Sequence, residues 1–147
     1  MHTKTARPDV LARLTTPFQA RALTIFRFML STIFLVAGIN HLLSPGAIAN
    51  RLENAPMGHL ATSVAPAELL VTLVGVALLL GGIALATGFK TRWAALLLIL
   101  LLIPITLTVQ VGSLDTMGPL AKNIGLAGGL LYFLTHGSDV TADTADR

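Results

Sequence analysis

The chain has 147 residues, of which 54% are hydrophobic and 12% charged, and its mean hydropathy is +0.77. Soluble domains carry about 25% charged residues, so this chain has too little charge to cover a water-exposed surface and reads as an integral membrane protein. It has no cysteine, which excludes disulfide exchange, thiolate catalysis and Cys-ligated metals within the chain; the basic residues behind its +3 net charge do not cluster with aromatics, which argues against nucleic acid.

In chain order, residues 1–20 read as a basic tail, with Lys4, Arg7 and Arg13 ahead of Arg21. A bilayer core of about 30 Å takes roughly 17–25 helical residues, and four spans of that order are predicted, at about 21–43, 66–87, 92–113 and 119–136. The start also has the look of a signal peptide, with a basic region, an apolar run and "AIA" at 47–49, but the run is too long for that reading. The longest connection, 44–65, contains "LSPG" and two further prolines and is expected to form a partly ordered cap. The second and third spans are joined by "TGFKTR", which holds Lys90 and Arg92. The fourth span reaches full length only if the helix starts at Pro119 and carries Lys122 in its first turns; proline is favoured at a first helical position, and Pro66 is expected to open the second span likewise. Residues 137–147 form an acidic tail. Lysine and arginine mark the cytoplasmic side, so both termini and the 88–92 turn are expected in the cytoplasm. The fold class predicted is an all-α membrane protein, a four-helix transmembrane bundle with a domain over 21–136.

Aligning the spans by depth brings polar residues to one layer near the outer boundary. Asn40 and His41 end the first span, Glu68 opens the second, Gln110 closes the third together with Asp115, and Lys122 and Asn123 lie early in the fourth. Lys122 shares a helical face with Gly125 and Gly129, and Ala121, Gly125 and Gly129 form a small-xxx-small row of the kind that lets helices approach closely. Glu68 shares a face with Thr72, Gly75 and Gly82. An isolated charge at membrane depth costs about 2.5–3.5 kcal/mol, so Glu68 and Lys122 are expected to pair. That pair reads either as packing glue or as part of a ligand site made of Asn40, His41, Glu68, Gln110, Lys122 and Asn123. No metal-ligand spacing supports a metal role for His41 or His59, and no phosphate-binding loop, dinucleotide fingerprint or nucleophile elbow occurs. Pro104 in "LLIPITLTVQ" removes the donor to the carbonyl of Leu100 and is expected to kink its helix.

The stretches "RFMLSTIFLVAGINHLLSP", "PAELLVTLVGVALLLGG", "ATGFKTRWAALLL" and "KNIGLAGGLL", in that order, resemble the DoxX family over residues of about 21–136. The resemblance implies a small four-helix protein of the bacterial cytoplasmic membrane. Some relatives are subunits of quinone-linked oxidoreductases such as thiosulfate:quinone oxidoreductase, or associate with redox and detoxification enzymes. By that resemblance the family's glutamate falls on Glu68 and its Lys-Asn pair on Lys122 and Asn123, while many relatives carry lysine where His41 stands. The expectation is an accessory membrane subunit or anchor of a redox system, not catalytic by itself, with no cofactor of its own and a quinone-like or small anionic molecule as candidate ligand. Its expected partners are membrane lipids and either a redox enzyme or further copies of the chain. The alternatives are a small carrier for a hydrophobic or weakly acidic metabolite, and a structural or assembly protein.

Overall fold

The computed structural model describes residues 10–111 and 114–138. Residues 1–9, with Lys4 and Arg7, and the acidic stretch 139–147 lie outside the described residues. Six α-helices follow one another: α1 Val10–Leu43, α2 Pro45–Glu53, α3 Gly58–Thr62, α4 Ala67–Thr87, α5 Thr91–Val109 and α6 Met117–His136, with a single 3-10 turn, Leu114–Thr116, before α6. No strand occurs among the described residues.

Among the described residues three helical segments are long and apolar enough to cross a membrane: Arg21–Leu43 of α1, Ala67–Thr87 and Thr91–Val109. They match the first three predicted spans to within a few residues. The differences lie at the ends: α1 begins at Val10, inside the predicted tail, and α5 stops at Val109. The fourth predicted span is a 20-residue helix, Met117–His136, whose Lys122, Asn123 and glycines dilute its apolar character. Pro119 is the third residue of that helix and Pro66 is the N-cap of α4, so neither takes the predicted first position. Both still lie where the backbone has no intrahelical acceptor for an N–H. The predicted cap at 44–65 is folded into α2 and α3.

The four long helices run alternately up and down. α1 packs on α4, α4 on α5 and α5 on α6, and α6 closes back on α1 through the Phe26 and Phe133 rings, 5.3 Å apart. Side chains from all four build the core: Leu30 and Phe34, Leu78 and Leu85, Leu98 and Leu102, and Leu126, Leu130 and Phe133. The tightest crossing is between α1 and α4. A Cβ on Gly75 would stand 2.7 Å from the Cβ of His41, and one on Gly38 would stand 2.9 Å from the Gly75 carbonyl oxygen. Only hydrogen fits there, as expected where backbones carry an interhelical contact. A second, smaller cluster of Ala49, Ala67 and Val71 fastens α2 to the start of α4. The short turn between α4 and α5 needs left-handed backbone at Gly88 (φ 80°) and at Lys90 (φ 43°). The bundle thus has a basic end, with Arg27, Lys90, Arg92 and His136, and an opposite end covered by α2 and α3.

Candidate functional site

All six residues predicted to form the polar layer lie toward the α2–α3 end, but they do not converge. Asn123 is the one that turns fully inward: it is 4% exposed, and its Nδ2 donates to Thr106 Oγ1 across α5 and α6 at 2.8 Å. Thr106 Oγ1 in turn donates to the Leu102 carbonyl at 2.6 Å. The buried face of α6 is Asn123, Leu126, Leu130 and Phe133, and Lys122 stands one residue, about 100°, off that stripe. Lys122, Ala121 and Gly125 are exposed, and nothing lies within 4 Å of where a Gly125 Cβ would be. Of the predicted small-residue row only Gly129 packs, against Phe26 and Leu30.

Glu68 shows the same displacement. The buried stripe of α4 includes Ala67, Val71, Gly75, Leu78 and Leu85, and exposed Glu68 is again one residue away. The expected Glu68–Lys122 ion pair is not formed. The physical reason is that each charge has a neutral neighbour able to take its inward position: Ala67 fills space, and Asn123 finds an uncharged hydrogen-bond partner. The Glu68 carboxylate instead lies over the first turn of α2, where a Cβ on Gly46 would stand 3.3 Å from Oε1. Glu68 is also in the first turn of its own helix, so it faces the positive ends of two helices. Asn40 is exposed and its carbonyl accepts from Ser44 N–H. Gln110 caps the end of α5 with its Oε1 buried and unpartnered. Asp115 and His59 are exposed.

The concavity at this end is elsewhere than among the charges. A cavity of about 490 Å³ opens beneath α2 and α3, between α4 and α5. Ile48, Leu52, Leu60, Val71, Val74 and Leu101 are among its apolar walls, Pro104 lies on its α5 side, and the polar residues that line it among the described residues are His41, Arg51 and Thr108. The Thr108 hydroxyl is occupied by the Pro104 carbonyl at 2.7 Å. His41 Nδ1 lies 2.7 Å from the Ala37 carbonyl oxygen. That oxygen only accepts, so Nδ1 carries a proton, and in the neutral ring Nε2 keeps the free lone pair. The cavity therefore offers one imidazole acceptor and one guanidinium donor against an apolar body. Of the residues predicted for a ligand site only His41 lines it; Glu68, Gln110 and Lys122 do not. Arg51, at the end of α2, lines the cavity although it was not among the residues expected to form a site. Its signal was its place in an amphipathic turn beside Ile48 and Leu52.

The DoxX family profile matches residues 22–111, from the apolar part of α1 through α5. No curated protein and no solved structure matches the chain. With more than half its length matched and three apolar helices long enough to span, the chain belongs to the DoxX family and is a multi-pass membrane protein.

Proposed function

We propose that this protein is an accessory membrane subunit of a quinone-linked redox or detoxification system, and that it holds a quinone-like amphiphile in the cavity beneath α2 and α3. In this reading α6 is the fourth span, both termini face the cytoplasm of a bacterial cell, and the cavity opens near the outer boundary of the cytoplasmic membrane. The observation that carries the proposal is the cavity's chemistry. Its volume falls within the roughly 300–1,000 Å³ of small-molecule sites, its walls are apolar, and its polar groups are His41 and Arg51. A ring with an oxygen at its edge and an apolar tail satisfies all three features. Arg51 donates to a ring carbonyl, His41 Nε2 accepts from a ring hydroxyl, and the tail lies along Val74 and Leu101.

Purification from native membranes in mild detergent tests the role. A redox subunit brings down a soluble oxidoreductase and extractable quinone, and loses the quinone in a His41→Leu, Arg51→Ala variant. Movement of a weakly acidic metabolite across vesicles that contain the chain alone, with no quinone or enzyme co-purifying, contradicts the proposal and assigns a carrier.

A further inference from the structure

We propose that the basic end of the bundle binds an anionic phospholipid, with its headgroup on Lys90, Arg92 and His136 and one acyl chain in the groove between α4 and α5. Two hollows meet there. A cleft of about 340 Å³ is lined by Lys90, Thr91, Arg92, His136 and Gly137. A groove of about 500 Å³, lined by Leu80, Ile83, Ala84, Phe89 and Leu97, runs along the outside of α4 and α5. Lys90 and Trp93 belong to both, so a molecule with a charged head and an apolar tail can occupy the two together.

Among the described residues the charge balance leaves the cleft positive. The C-termini of α4 and α6 and the N-terminus of α5 meet at this end; each carries roughly half an elementary charge, so their sum is about one half negative. Arg27, Lys90 and Arg92 bring three positive charges. Arg27 reaches the turn from α1: a Cβ on Gly88 would stand 2.8 Å from Arg27 Nη1, and Arg27 Nε is buried with no hydrogen-bond partner. The acidic side chains among the described residues, Glu53, Glu68 and Asp115, are all at the other end of the bundle. The backbone adds donors, because the first N–H groups of a helix have no internal acceptor and Thr91 and Arg92 open α5 on the cleft. Such a helix start beside cations suits a phosphate. His136 is held in place by stacking on Tyr132 at 4.5 Å, with Nδ1 3.1 Å from the Tyr132 carbonyl oxygen.

The groove favours a lipid over free phosphate. Between Leu80 and Thr87 it offers about 10 Å of helix to an acyl chain. Phe89 and Trp93, 65% and 71% exposed, flank its charged end; aromatic rings of this kind settle at headgroup level.

The test is a titration of delipidated full-length protein with dioleoyl phosphatidylglycerol, dioleoyl phosphatidylcholine and inorganic phosphate, read by native mass spectrometry and by melting temperature. Phosphatidylglycerol is expected to bind preferentially and to raise the melting temperature above that in phosphatidylcholine. Lys90→Ala and Arg92→Ala are each expected to weaken its binding about fivefold, the effect of one basic residue near an anionic surface. Lys90→Arg with Arg92→Lys is expected to keep the preference. Melting in phosphatidylcholine shows whether each variant is folded. Equal binding of the two lipids, or a preference that survives the double alanine change, overturns the proposal. So does stabilisation by inorganic phosphate equal to that by the lipid, which assigns an ion site without a chain groove. A preference that appears only after removal of residues 139–147 assigns the cleft to the protein's own acidic tail and overturns it equally.

Discussion

Breaking the Asn123–Thr106 hydrogen bond from its two sides should have unequal effects. Thr106→Val removes the acceptor and leaves the amide of Asn123 buried at 4% exposure with no partner. An unsatisfied buried donor costs about 1–3 kcal/mol. The Leu102 carbonyl loses its hydroxyl donor in this variant but keeps its helical N–H, so it adds little. Asn123→Leu removes the donor instead. Thr106 still donates to Leu102, only an acceptor lone pair is left over, and apolar volume is added to the α5–α6 contact. Its cost should approach the net worth of an interhelical bond in membranes, about 0.6 kcal/mol on average and rarely above about 1.7. The double variant places two apolar groups face to face and should be more stable than Thr106→Val alone. Unfolding by sodium dodecyl sulfate in mixed micelles, followed by ellipticity, gives the four free energies. Thr106→Ser, which keeps the hydroxyl, should stay near wild type. Additive single effects, or a costlier Asn123→Leu than Thr106→Val, would show that the two side chains are not coupled in this way.

Three further outcomes are expected. Lys122→Ala should change stability by no more than about 0.5 kcal/mol, as for exposed positions without partners, and its effect should add to that of Glu68→Gln, which costs about 0.3–1 kcal/mol by weakening the contact with the α2 and α4 N-termini; the same micelle titration measures both. Gly75→Ala should cost about 1–3 kcal/mol by overpacking the α1–α4 crossing, with a lower melting temperature in detergent as the readout. Reporter fusions after Asn54 and near Met117 should appear outside and those near Lys90 and at the C-terminus inside; an external Lys90 fusion would contradict the orientation by basic residues.

The spans were legible because twenty or so apolar residues between charges have few other fates, and the tight "TGFKTR" turn because its basic residues punctuate two such runs. The family was legible from the order of those same stretches. The inward faces were legible only in part. On α6 two stripes compete, Ala121–Gly125–Gly129 and Asn123–Leu126–Leu130–Phe133. The rule that small residues seek helix contacts selected the first, whereas the structure buries the second and uses only Gly129 of the first. Hydropathy alone could not decide, since in lipid both faces are surrounded by apolar matter and volume against the neighbouring helices settles the rotation. The error moved Lys122 inward by one residue. On α4 the small-residue rule held, since Gly75 and Gly82 pack against α1, yet Glu68 on that face is exposed at the helix start. The polar wall of the cavity beneath α2 and α3 was not readable, because it depends on how α2 lies on α4 and thus on where Arg51 falls; of the predicted polar layer only His41 lines it. The partner of Asn123 was hidden for a similar reason: Thr106 is a single hydroxyl in an apolar run, and only the α5–α6 register shows that it faces the amide.

The most direct test of the account is equilibrium binding of decylubiquinone to the purified, delipidated protein and to an Ala61→Trp variant. Ala61 lies on α3 and lines the cavity, so the indole fills the space the ring would take without touching the main core. Saturable binding to the wild type is expected, with loss of that binding in Ala61→Trp and roughly tenfold weaker binding in Arg51→Ala, as for a lost contact of about 1.4 kcal/mol. Undiminished binding to a folded Ala61→Trp protein, or none to the wild type, would contradict it.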